Sequence, residues 1–163
     1  MNNSKSLFSE EQKFTQWWIW VLLACSFGFS IFTMLYTANF NEDNFIEILK
    51  QPVYIFVGIS MLLVILLFVL IKLKTNIDEE KIAIHFSPFI KKEFHWKDID
   101  KAEVINYGFI GGWGIRLFTK YGTAYNIKGS VGLALELKNG KKYLIGTQKE
   151  EELKSGIANL NRD

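Results

Sequence analysis

The chain has 163 residues, 19 basic and 17 acidic, for a net charge of +2, too small a basic excess to recruit nucleic acid. Its single cysteine, Cys25, excludes an intramolecular disulfide and any multi-cysteine zinc or iron–sulfur centre. The charges are unevenly placed: residues 14–41 and 51–71 carry none, a pattern foreign to an ordinary soluble domain.

Residues 1–16 read as a short polar tail with Lys5 and Lys13 beside Glu10 and Glu11. Residues 17–38, WWIWVLLACSFGFSIFTMLYTA, follow without a charge. As a helix they extend about 33 Å, enough for a hydrocarbon core of about 30 Å. Residues 53–71, VYIFVGISMLLVILLFVLI, give about 28 Å more. The rest of the chain is too small to bury two helices that are apolar all round. The first run is also longer than the apolar region of a cleaved signal peptide, and no A-x-A site follows it. The expected architecture is therefore a two-span hairpin with a short extracytoplasmic loop at 39–52.

That loop carries Lys50 against Glu42, Asp43 and Glu47, whereas Lys72, Lys74, Lys81, Lys91 and Lys92 follow the second span. Positive-inside bias then places both termini in the cytoplasm. Trp17, Trp18 and Trp20 suit one interfacial belt, and Tyr36 and Tyr54 the other. Pro52 suits a first helical turn. Neither span holds an ionisable group of the kind that marks a proton relay or ion pathway, which argues against a pump or transporter. Ala24 and Gly28, four apart, and Gly58 fit close packing within the hairpin, with a homo-oligomer face as the alternative.

Residues 72–163 hold 16 basic and 12 acidic side chains, a local net of +4, and make one small domain expected to fold from about Thr75 onward. Its pattern has period two, broken by turn residues. Lys74 to Ile77 and Ile82 to Phe86 read as partner strands around Asp78-Glu79-Glu80-Lys81. Pro88 interrupts them, and Lys91-Lys92 reads as loop. Phe94 and Trp96 alternate inward, which makes Trp96 a core residue. Further strands are expected at 102–107, 115–118 and 124–127. Val131, Leu133, Leu135 and Leu137 form the clearest strand, and Asn139-Gly140 turns it back into 141–146. Thr147 with Glu150 reads as a capping box opening a helix with Leu153, Ile157 and Leu160 on its apolar stripe.

About seven short antiparallel strands capped by a C-terminal helix describe the pleckstrin-homology architecture. The stretches Trp96-Lys97-Asp98-Ile99, Gly111-Gly112-Trp113-Gly114-Ile115-Arg116, Gly122-Thr123-Ala124-Tyr125 and Leu144-Ile145-Gly146-Thr147-Gln148 resemble the cytoplasmic part of small bacterial membrane proteins with pleckstrin-homology-like domains. The two-span layout ahead of them is similar to the whole-chain plan of that group. The resemblance implies a PH-like antiparallel barrel at the bacterial inner membrane and carries no activity with it. Arginine at only two of the 19 basic positions, 116 and 162, suits an AT-rich bacterial genome.

Catalysis needs a nucleophile with a base, paired carboxylates or a metal shell. Here His85 and His95 stand on outward strand positions without a Cys or acidic partner, Asp98 and Asp100 flank lysines, and the glycine cluster at 108–114 matches no phosphate-loop spacing. No catalytic residue, metal ligand or cofactor is assigned. The expected function is a membrane-anchored, non-catalytic binding or scaffold module that docks anionic lipid headgroups or a protein partner, the alternative being a structural subunit of a larger membrane complex and an enzyme a remote one. Trp113, Arg116, Lys120, Lys128, Lys141 and Lys142 are the candidate surface. Arg116 stands out because guanidinium binds phosphate or carboxylate bidentately.

Overall fold

The two charge-free runs fold as α1 (Trp17–Thr37) and α2 (Pro52–Leu70) in a computed structural model that describes residues 6–37 and 50–160. The loop expected at 39–52 lies outside the described residues up to position 49, as do Lys5, Arg162 and the Leu160 side chain. The helices, 21 and 19 residues long, measure about 32 and 29 Å. They are long and apolar enough to cross a membrane, and among their described residues only Ile19 is buried. Several of their hydroxyls bond to backbone carbonyls of the same helix. Ser30 donates to the Ser26 carbonyl at 2.9 Å, Thr37 to Thr33 at 2.8 Å and Ser60 to Val57 at 2.9 Å. Such bonds satisfy those hydroxyls without water. The small residues do not pack as expected: Ala24 and Gly28 are exposed, and nothing lies within 4 Å of a side chain built at Gly28 or Gly58. The partly covered side of α2 runs instead through Tyr54, Val57, Met61, Ile65 and Phe68, at helical spacing.

A separate β unit comprises residues 6–14 and 71–160. Its strands are β1 (Phe8–Lys13), β2 (Lys72–Ile77), β3 (Lys81–Ser87), β4 (Ile90–His95), β5 (Ile99–Asn106), β6 (Gly114–Thr119), β7 (Gly122–Asn126), β8 (Val131–Leu137) and β9 (Lys142–Thr147), followed by α3 (Glu150–Leu160). They form a four-stranded sheet, β1-β2-β3-β4, and a five-stranded sheet, β5-β8-β9-β7-β6. The mainly β unit with a C-terminal helix agrees with the sequence reading. Two details differ. The strands make two sheets with no closed barrel among the described residues, and β7 runs parallel to β9, Ala124 opposite Leu144.

The largest departure is β1. The segment read as a tail pairs antiparallel with β2 along its whole length, from Phe8↔Ile77 to Lys13↔Lys72. A fragment beginning at Thr75 therefore cuts β2 and omits β1. The inward face of β1 is Phe8, Glu10 and Gln12, and its polar members bond to the far end of the chain. The Glu10 carboxylate accepts from the Thr147 hydroxyl at 2.7 Å and the Gln148 backbone N–H at 2.9 Å, while Gln12 Nε2 donates to the Gly146 carbonyl at 2.7 Å. Thr147 thus ends β9 with its hydroxyl on Glu10 and does not cap α3 through a box with Glu150. Gly156 of α3 is where the helix meets β1: a Cβ there would stand 3.1 Å from the Leu7 carbonyl.

Hydrophobic alternation builds the rest. Leu73, Ile77, Ile82, Ile84 and Phe86 fill the inner face of the first sheet and Leu133, Leu135 and Ile145 that of the second, all at most 2 % exposed. The rings of Phe94 and Tyr143, 4.8 Å apart, join the two sheets. Trp96 leaves the strand for a single 3-10 turn (Trp96–Asp98) and is half-buried, its indole N–H on the Asp78 carbonyl at 2.9 Å. Lys91 and Lys92 lie within β4 and not in a loop; Lys92 Nζ stands 4.4 Å from the centre of the Tyr143 ring.

Candidate functional site

The five-stranded sheet has two faces, and the register separates them. Val104, Leu133, Ile145 and Tyr125 are successive partners on the core face. Glu103, Ala134, Leu144, Ala124 and Arg116 are successive partners on the other. The glycine-rich segment between β5 and β6 covers part of that second face, where Tyr107, Ala124 and Leu144 form a small apolar cluster with Ile105, Ile110, Tyr121 and Ala134.

Under the same segment polar groups converge. Asn126, 1 % exposed, donates through Nδ2 to the Tyr107 hydroxyl at 3.3 Å and the Gly112 carbonyl at 3.4 Å; Tyr107 donates in turn to the Gly129 carbonyl at 3.1 Å. Burial pushes the Tyr107 hydroxyl above its ordinary pKa, opposed by the bond from Asn126. Arg116 is half-buried on β6, and among the described residues its Nε has no hydrogen-bond partner, nor has Asn126 Oδ1. Glu136, on the same sheet face, pairs with Lys142 at 3.1 Å. Gly112 suits its backbone and sets where the guanidinium lies. Its φ is +121°, and a side chain would overlap the Arg116 guanidinium.

Beyond Arg116 the strand bulges. Arg116 pairs with Ala124, yet the next pair is Thr119 with Gly122, so Leu117 and Phe118 face no partner residue. Thr119 closes the turn, its hydroxyl donating to the Gly122 carbonyl at 2.8 Å and accepting from the Tyr121 N–H at 3.1 Å. Phe118 takes a left-handed backbone, φ 58°, and is 98 % exposed; such a conformation is an outlier for a bulky residue. Leu117 at 61 % and Phe109 at 81 % exposed accompany it. Residues 109–111 and 116–120 line an open concavity of about 410 Å³ with Arg116 and Lys120 as its charged members and no carboxylate.

The six candidate residues are thus only partly assembled. Arg116 and Lys120 share the concavity, and Lys120 Nζ sits 4.8 Å from the centre of the Tyr121 ring. Trp113 is half-buried in the bend before β6. Lys142 pairs with Glu136 on the same sheet face, and Lys141 is exposed in the preceding turn. Lys128 follows the opposite end of the five-residue β7, about 17 Å of strand away from Lys120. The exposed Phe109, Leu117 and Phe118 were not singled out from sequence. Only the glycine density around Phe109 hinted at them, since the bulge depends on tertiary pairing.

No family model matches the chain, and no curated protein or solved structure matches it either.

Proposed function

We propose that the protein is a membrane-anchored, non-catalytic binding module, in which α1 and α2 span the bacterial inner membrane and the β unit engages anionic lipid headgroups or a protein partner at the cytoplasmic face. The observation that carries this reading is an Arg116–Lys120 concavity rimmed by three exposed apolar side chains, in a chain that also has two helices of membrane-spanning length. An unpartnered guanidinium N–H beside exposed aromatics suits a ligand that joins an anion to an apolar body. The β1–β2 ladder supports a two-span topology, because residues 8–13 and 72–77 can pair only on one side of the bilayer. The lysines flanking that ladder favour the cytoplasmic side. The strand-then-helix order supports the pleckstrin-homology-like reading, from which the parallel β7·β9 pair departs.

Photo-crosslinking tests the proposal in native membranes. With benzoylphenylalanine in place of Phe118, the full-length protein should give a lipid or protein adduct that Arg116→Ala abolishes. Labelling no stronger than from the same probe at Asn139 would contradict a docking role for this surface.

A further inference from the structure

We propose a second binding surface, for anionic headgroups of the chain's own bilayer, on the outward face of the four-stranded sheet at the end where both helices attach. It rests on the membrane-anchored reading above, but on a different sheet from the Arg116 concavity. The register defines it. Lys13, Lys72 and Ser87 are consecutive partners in the last row, and Glu11, Lys74, His85 and Lys91 are consecutive partners on the same face two residues further in.

Chain connectivity fixes its distance from the membrane. Lys72 follows the last residue of α2, Leu70, by two positions, and Lys13 precedes Trp17 by four. Fully extended chain spans about 7 and 14 Å over those intervals, whereas the Debye length is about 8 Å at physiological ionic strength. Lys72 therefore stands within one Debye length of the end of α2, and Lys13 is held beside it as its direct strand partner.

Charge then selects the lipid. Lys13, Lys72, Lys74 and Lys91 face one carboxylate, four positive charges less one. Glu11 bridges Lys13 at 3.1 Å, Lys74 at 2.9 Å and Lys72 at 3.9 Å. More than a third of each of those three lysine side chains remains exposed, and Lys91 is exposed as well. The turn that continues the last row, Pro88-Phe89, puts a ring that is 57 % exposed at the same end. An aromatic tip among lysines at the end of a transmembrane pair is the pattern of an interfacial anchor.

The test uses the full-length protein, Cys25→Ala, in nanodiscs of phosphatidylcholine with or without phosphatidylglycerol, with an environment-sensitive fluorophore on Phe89→Cys. The label should shift to the blue and be quenched by lipid-borne nitroxide, more strongly in the anionic discs, and the difference should vanish at about 1 M salt, where the Debye length is about 3 Å. Joint Lys72→Gln, Lys74→Gln and Lys91→Gln should remove the anionic preference, about fivefold in the docked-to-free ratio per lysine. Glu11→Gln should strengthen it, and Lys138→Gln, an exposed lysine outside both surfaces, should leave it unchanged; Arg116→Gln with Lys120→Gln is measured beside them. A preference lost through the Arg116 pair and not the juxtamembrane lysines would overturn this inference while leaving the lipid-docking reading intact. A label that stays in water in every disc, with an intact Arg116-dependent crosslink to protein, would overturn it in favour of a protein partner. Loss of both signals would count against the docking reading itself.

Discussion

Removing the Glu10 carboxylate should destabilise the β unit through contacts more than 130 residues away in sequence. Glu10→Ala takes the acceptor from the Thr147 hydroxyl and from the Gln148 N–H. The Thr147 side chain is 3 % exposed and recovers no water, which costs about 1–3 kcal/mol, while Gln148 is exposed and its N–H is resolvated more cheaply. Relief from burying a carboxylate offsets part of the loss, so a net of about 1–2 kcal/mol is expected. In a unit of this size that corresponds to a fall of about 5–15 °C in Tm. The assay is thermal unfolding of a soluble version in which residues 6–13 are joined to 72–160 by an Asn-Gly turn, because Lys13 and Lys72 are direct partners. Ser9→Ala, on the outward side of the same strand, should change stability by less than about 0.5 kcal/mol. Equal effects of the two substitutions would refute the docking of β1 against β9.

Acid should weaken the same ladder on its outer side. Hydrogen bonds from Lys74 and then Lys13 hold Glu11 well below its ordinary value of 4.5, at about 2. A carboxyl depressed in the folded state stabilises above its unfolded pKa and loses that contribution as pH falls through the folded one. The midpoint should therefore drop between about pH 4.5 and 2, and Glu11→Gln should flatten unfolding curves in that window. Phe118→Asn should raise stability by about 1 kcal/mol, since asparagine tolerates the left-handed backbone; Phe118→Val should not, and a lowered Tm for Asn would contradict the strain. Trp96→Ala should cost about 2 kcal/mol, short of the 3–5 expected of a fully buried tryptophan, and chemical denaturation measures it.

Periodicity made legible what apolar residues alone determine. The helices fall within one residue of the expected spans, and strand β3, strand β8 and the Asn139-Gly140 turn appear where alternation placed them. Strand β1 escaped because two of its three inward residues are Glu10 and Gln12, which read as a solvated tail until their partners at 146–148 are known. Trp96 kept the inward parity of Phe94, but its backbone N–H bonds to the Glu80 carbonyl at 3.1 Å and turns the chain into a 3-10 segment. The parallel pairing of β7 with β9 joins strands with β8 between them in sequence, and local pattern carries no trace of it. Of the candidate surface, arginine chemistry singled out Arg116. Its apolar rim depends on a bulge that only the paired sheet defines.

A thiol-accessibility experiment in intact bacterial cells tests most directly that a two-span hairpin holds the β unit at the cytoplasmic face. Single cysteines at Ser9, Asn139 and Asn41 are placed in a Cys25→Ala background, Ser9 and Asn139 being exposed in the β unit and Asn41 lying outside the described residues. An impermeant maleimide should label position 41 in intact cells and positions 9 and 139 only after permeabilisation. Labelling of 9 and 139 from outside would reverse the orientation, and opposite sidedness of those two positions would contradict the β1–β2 ladder and the account built on it.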